Sequence, residues 1–225
     1  MNFPVPGNNA GLGIKLAACC AAGFFALSAQ AKDMTFDQRF SDKGEPAALH
    51  YRASFTNPGG NHQLEAWRDG RHRLKRRTDD VLETYVTLTE GEAEYRLDVL
   101  DLKKKIHTTI DRSNLYRIGN FTDWFDLAHG LRHPKGEYRL ENGIAPKGAP
   151  RAIDACKWVE LTQQERTTHI CWSDATRLPL LIVTQEGQTV WKIDVVDRKA
   201  APAKIFEIHD EGFIRNDANQ DIERD

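Results

Sequence analysis

From Ala47 onward the chain alternates: Leu49, Tyr51, Ala53 and Phe55 are apolar, and His50, Arg52, Ser54 and Thr56 between them are polar. A period of two sends successive side chains to opposite faces of an extended backbone, so this segment is a strand with one face for a core and one for water. Asn57-Pro58-Gly59-Gly60 turns it, because proline fixes φ and glycine accepts positive φ. His62 to Arg68 is the returning strand, and Asp69-Gly70 is a two-residue hairpin signal leading into Arg71 to Arg77. Val81 to Thr89, the turn Glu90-Gly91, Glu92 to Leu100 and Lys103 to Ile110 continue the pattern, with Ala93, Tyr95, Leu97 and Val99 on one face. The fold class is therefore mainly β (α+β), built on antiparallel strands.

The period then changes. Phe121, Trp124, Phe125, Ala128 and Leu131 recur at helical spacing, with Asp123, Asp126 and His129 on the other side, which predicts an amphipathic helix. Thr122 is the expected N-cap and Gly130 the expected stop. A shorter helical turn is expected around Ser113 to Ile118. With Trp124 and Phe125 on its apolar stripe, the longer helix must pack on the concave face of the sheet. Strands resume at Tyr138 to Glu141, Ile153 to Leu161, Arg166 to Trp172, Leu178 to Thr184 and Gln188 to Val196, and a last short apolar piece covers Lys204 to Ile208.

The first residues belong to targeting. Lys15 precedes the apolar run 16–27 and then Ser28-Ala29-Gln30-Ala31, the order of a secretory signal peptide cleaved after Ala31. The run is shorter than the roughly 20 apolar residues a membrane-spanning helix needs. A rival reading, lipidation at Cys19 after Leu16-Ala17-Ala18, lacks an apolar stretch ahead of it. The expected organisation is a cleaved segment 1–31, one domain over 32–208 and a polar, acidic tail over 209–225, exported to the periplasm with no integral membrane segment after cleavage.

Cleavage removes Cys19 and Cys20 and leaves Cys156 and Cys171, which an oxidising compartment favours as one disulfide. A hairpin with Thr162-Gln163-Gln164-Glu165 as its loop sets Leu161 against Arg166 and Cys156 directly opposite Cys171, at a non-hydrogen-bonded site with Cα atoms about 4.5 Å apart. A two-residue Gln163-Gln164 turn gives the same pairing at a hydrogen-bonded site.

The formal net charge of −2 gives no reason to expect nucleic acid as a partner. The basic run Arg71 to Arg77 reads as a surface strand screened by Asp79, Asp80 and Glu83, with an anion or headgroup site as the other reading. Asp126, His129 and His133 resemble a metal-ligand spacing, but Gly130 and Pro134 end the helix between them, so a solvated helix end is expected and no metal site is assigned. The tail 217–223 has oxygen ligands at alternate positions but lacks the glycine and the terminal glutamate of a calcium loop. Asp154, Glu160 and Glu165 supply carboxylates without an evident pairing. No nucleophile, phosphate-binding or dinucleotide motif is present, so no catalytic residues and no cofactor are expected.

The order of these elements, with Trp67-Arg68-Asp69-Gly70-Arg71-His72-Arg73, the embedded helix, Cys156-Lys157-Trp158, Cys171-Trp172 and Leu178-Pro179-Leu180 before a hairpin, resembles the LolA/LolB/RseB superfamily of periplasmic lipoprotein-localisation and lipid-sensing proteins over most of residues 45–208. The resemblance implies an incomplete, curved β-barrel whose helices plug an apolar cavity that accepts acyl chains, without chemistry. No receptor-release arginine can be matched residue by residue. In the bottom-up reading Tyr51, Phe55, Leu64, Tyr95 and Leu97 supply a sheet face and Trp124, Phe125 and Leu131 a lid; the same residues also suit a dry core. The leading expectation is a non-enzymatic binding protein for a lipid, acyl chain or lipoprotein. A protein-interaction or envelope-stress sensing domain with an envelope protein as partner is the second reading, and an envelope hydrolase the third.

Overall fold

In the computed structural model, which describes residues 34–70, 72–88, 95–117 and 123–223, the alternating segments become strands with the faces their pattern requires. A single helical turn, α1 (Phe36–Arg39), precedes them. β1 (Ala48–Asn57) buries Leu49, Tyr51 and Ala53. Pro58 and Gly59 turn it into β2 (Gly60–Asp69), with Asn57 opposite Gly60. β3 (Arg73–Thr78), β4 (Leu82–Leu88), β5 (Tyr95–Asp101) and β6 (Ile106–Asp111) complete an antiparallel meander. The expected export segment with Cys19 and Cys20, Arg71, the Glu90-Gly91 turn, Ala93, Ile118, Phe121 and Thr122 lie outside the described residues.

Two short helices follow, α2 (Arg112–Arg117) and α3 (Trp124–His129). A second meander comprises β7 (Arg139–Asn142), β8 (Lys157–Gln163), β9 (Arg166–Ser173), β10 (Leu178–Thr184) and β11 (Thr189–Asp197). β11 pairs antiparallel with β1, which joins the two meanders edge to edge. Pro202 leads into a 3₁₀ turn over Ala203–Phe206 where a short apolar piece is expected. The chain then adds β12 (Ile214–Asp217), parallel to β6, and α4 (Ala218–Glu223). The result is one curved, unclosed sheet in the order β12-β6-β5-β4-β3-β2-β1-β11-β10-β9-β8-β7. Register shifts at Arg52/Ala53 and Ile182/Val183 interrupt the ladders on either side of β11, and such bulges bend strands.

Four local expectations are corrected. The Asp69-Gly70 turn is longer than two residues, since Asp69 pairs with Arg73. The cap of α3 is Asp123, whose carboxylate accepts from the Asp126 N–H at 2.8 Å, rather than Thr122. β8 begins at Lys157 instead of Ile153, because its pairing with β9 ends there, at Lys157 opposite Trp172, and β7 has already stopped at Asn142, opposite Val159. Cys156 and Cys171 are bonded, with Cα atoms 5.3 Å apart, but the hairpin register is two residues from the expected one. Gln163 pairs with Arg166 and Trp158 with Cys171, so the cysteines stand diagonally on the same face. This register sets Val159 against Ile170, both fully buried, where the expected one sets Val159 against Thr168. Gln164 and Glu165 accept φ of 49° and 65° to make that turn.

Three apolar clusters divide the interior. One lies where β1, β2 and β11 meet the Cys171 region and holds Leu49, Tyr51, Leu64, Trp191 and Ile193. A second gathers Phe36 of α1, Phe40 at its C-cap, Leu131, and Val159, Ile170 and Trp172 of the second meander. The third holds Leu74, Val86, Tyr95, Leu97 and Ile110, with Trp124 and Leu127 of α3 packed against them.

Candidate functional site

Helix α3 is the element that spans these clusters, and its sequence explains how. Trp124 and Leu127 face the first meander, while Phe125, one position on, faces the second. At its end Gly130 takes φ 67°, a left-handed cap, and sits so close to Trp191 that a Cβ there would lie 2.9 Å from the indole Cη2. Trp191 cannot easily retreat, because its Nε1 donates to the Pro179 carbonyl at 2.8 Å.

Between the clusters a polar group fastens α3 to the sheet. Arg68 of β2 is on the same face as Leu64 and Ala66, and its side chain is 0% exposed. Its Nη1 donates to Glu45 Oε2 and to His129 Nε2, both at 3.0 Å. His129 Nδ1 donates to the Phe125 carbonyl at 2.9 Å, and its Nε2 lies 3.0 Å from Glu45 Oε2 as well as from Arg68 Nη1. Burial pulls the Arg68 guanidinium below its usual value, and the neighbouring Glu45 carboxylate opposes that pull. Burial pushes the Tyr51 phenol up, against the nearby charges of Arg76 and Arg68. Several buried donors beneath the helices have no acceptor among the described residues: Arg68 Nε and Nη2, the Tyr51 hydroxyl, and the Nε1 groups of Trp124 and Trp172.

The expected lining residues all reach this interior but not one shared spot. Tyr51, Leu64 and Phe55 belong to the first cluster, Phe125 and Leu131 to the second, and Tyr95, Leu97 and Trp124 to the third. The structure separates His129 from His133. His129 is buried on Arg68, and His133 turns out to Asp126 at 2.9 Å, Asp123 at 3.5 Å and Asp37 at 2.8 Å. Burial and the neighbouring Asp123 carboxylate raise the Asp126 carboxyl above its ordinary value, and the hydrogen bonds from His133 oppose this.

The opposite face carries a second polar group that sequence reasoning missed. Asp98 is 1% exposed and accepts from Arg96 Nε at 2.9 Å, Thr109 Oγ1 at 2.7 Å and His107 Nε2 at 3.0 Å. His107 Nδ1 meets Asp210 of the tail at 2.7 Å. These residues line an open groove of about 540 Å³ with Arg215 and Asp217. Thr109, His107 and Asp210 are in the order of a nucleophile, base and orienter. Yet both imidazole nitrogens face carboxylates and the Thr109 hydroxyl is given to Asp98, so the group fastens the tail rather than activating an oxygen.

The basic run is screened by its neighbours: Lys75 pairs with Glu83 at 3.0 Å, Arg77 with Asp80 at 3.1 Å, and Arg73 with Asp69. No helix among the described residues is long and apolar enough to cross a membrane. No protein-family model and no curated protein matches the chain.

Proposed function

We propose that this chain is an extracytoplasmic, non-enzymatic binding protein of the LolA-like kind, exported to the periplasm by its first 31 residues. It holds an amphiphilic lipid, acyl chain or lipoprotein between the curved sheet and α3. The observation that carries this reading is the set of buried donors without acceptors, Arg68, Tyr51, Trp124 and Trp172, set among large apolar side chains. A dry core satisfies its polar groups almost completely. An ester or carboxylate head supplies oxygens to Arg68 and Tyr51 while its chain lies along Leu64, Leu97, Phe125 and Leu131. The Cys156–Cys171 bond supports an oxidising compartment. Lifting α3 opens the face, and the Arg68–His129–Glu45 contacts are what must part.

The test is solvent extraction and mass spectrometry of the protein purified from a periplasmic fraction, with titration of the delipidated protein by a fluorescent fatty acid. Stoichiometric lipid and saturable probe binding are expected, weakened in Tyr51→Phe. A protein that carries no lipid and binds no probe sinks the reading and leaves the protein-interaction or stress-sensing alternative.

A further inference from the structure

His133 lies two residues beyond Leu131, outside the interior, and three aspartates from two elements converge on it. Its Nε2 is 2.8 Å from Asp37 of α1. Its Nδ1 is 2.9 Å from Asp126 Oδ1 and 3.5 Å from Asp123 Oδ2, both at the start of α3. Among the described residues no lysine or arginine forms an ion pair with any of the three carboxylates, so one imidazole answers all of them.

The arrangement differs from an ordinary acidic patch in the division of labour around the ring. Asp37 takes Nε2, which fixes the ring's orientation and turns Nδ1 toward the other two carboxylates. That is the carboxylate–histidine pattern which orients an imidazole ligand and raises its basicity. One ligand atom from each of Asp123, Asp126 and His133 lies within 4.8 Å of the others. For bonds of the length zinc makes to nitrogen and oxygen, neighbouring ligand atoms stand about 3.0–3.4 Å apart. The two observed separations from Nδ1, 2.9 and 3.5 Å, bracket that range. The ring is held by Phe36 at 4.4 Å and Phe125 at 5.4 Å between centroids. A cleft of about 380 Å³, lined by Phe40, Ser41 and Asp42 as well as by Asp123 and His133, gives access from solvent and room for coordinated water.

We propose that Asp123, Asp126 and His133 form a binding site for a divalent first-row transition metal, with Asp37 as the positioning residue. One nitrogen and two carboxylate oxygens suit zinc, cobalt(II) or manganese(II), and water completes the shell. Binding exchanges the proton on His133 Nδ1 for the metal and releases it to solvent. The metal ties the start of α3 to the segment after it, while Asp37 holds α1 alongside. Here His133 leaves His129, the other histidine of the sequence pattern, and takes Asp123 in its place.

The mature chain, stripped with EDTA and dialysed, is titrated with zinc and with cobalt(II) by calorimetry, and the cobalt complex is read by visible absorption. One site per chain is expected, with a d–d spectrum for a mixed nitrogen–oxygen shell. His133→Ala and Asp126→Asn each weaken binding at least tenfold, Asp37→Asn weakens it about tenfold, and His62→Ala leaves it unchanged. Near-UV circular dichroism checks each fold. Should His133→Ala or Asp126→Asn misfold, Asp123→Asn at the more exposed edge carries the test with the same tenfold expectation. No binding at millimolar metal, or full-strength binding in the folded variants, overturns the proposal.

Discussion

The guanidinium of Arg68 reaches the imidazole of His129 at 3.0 Å across sixty-one residues of chain, and so binds the centre of the sheet to the end of the helix that covers it. The same Nη1 holds Glu45, whose side chain is only 11% exposed. Replacing Arg68 with methionine keeps an unbranched apolar stem but takes the guanidinium away from a largely buried carboxylate. Removing one partner of a buried pair costs about 3–5 kcal/mol. The expected result is a loss of that size in the unfolding free energy from urea titration, seen as a lower midpoint, with most of it recovered in the Arg68→Met/Glu45→Gln double variant. Amide exchange in α3 should quicken in the single variant. An unchanged midpoint would show that α3 is held by apolar contacts alone.

Gly130 is the second point where α3 meets the sheet. Alanine at φ 67° costs about 1–2 kcal/mol for the left-handed backbone, and its Cβ would also press on Trp191 at 2.9 Å. Gly136 has φ 82° with nothing within 4 Å of an added Cβ, so it isolates the backbone contribution. Gly130→Ala is therefore expected to lower the unfolding midpoint more than Gly136→Ala, and to change the Trp191 fluorescence where Gly136→Ala does not. Equal losses would mean that the indole gives way freely.

The disulfide closes a sequence separation of 15, for which chain entropy predicts about 3 kcal/mol. Reduction of the wild-type protein and the Cys156→Ala/Cys171→Ala double variant should reach the same lowered midpoint, measured by urea unfolding with and without dithiothreitol. A reduced wild type that stays as stable as the oxidised one contradicts a staple at this hairpin.

What the sequence makes legible follows the physics of each element. Period-two alternation finds the strands because one face of each is buried, as with Leu49, Tyr51 and Ala53. It does not find hairpin register at Cys156 and Cys171, where Gln164 and Glu165 adopt a turn their side chains do not announce and the pairing of Val159 with Ile170 decides instead. α1 was readable: Thr35 and Gln38 form a capping box, T-x-x-Q, at the entry to Phe36. β12 was not, since all four of its residues are exposed and its reason to be extended is the free edge of β6. The Arg68–His129–Glu45 contacts were out of reach for a related reason. A buried arginine reads locally as a surface residue until the chain brings a carboxylate to it.

The tail should release in acid. Asp210 is held down to about 2 by hydrogen bonds first from Arg215 and then from His107, and its depressed pKa sets the sign. A carboxylate whose folded pKa lies below its unfolded value binds fewer protons when folded, so its contribution is complete above the ordinary aspartate value and is lost as pH falls toward about 2. Asp210 joins the tail to His107 at 2.7 Å, next to the β6–β12 pairing. Protection of the amides of Ile214 to Asp217 is expected to hold at neutral pH and to fall between about pH 4 and pH 2, before the Cys156–Cys171 hairpin opens. Asp210→Asn should lower that protection already at pH 7, and a chain truncated after His209 should lose the β12 cover and associate through the bare edge of β6. Hydrogen exchange read by mass spectrometry, with light scattering for the truncated chain, decides both. Protection that ignores pH and survives Asp210→Asn would place the tail's hold in the backbone pairing with β6 alone.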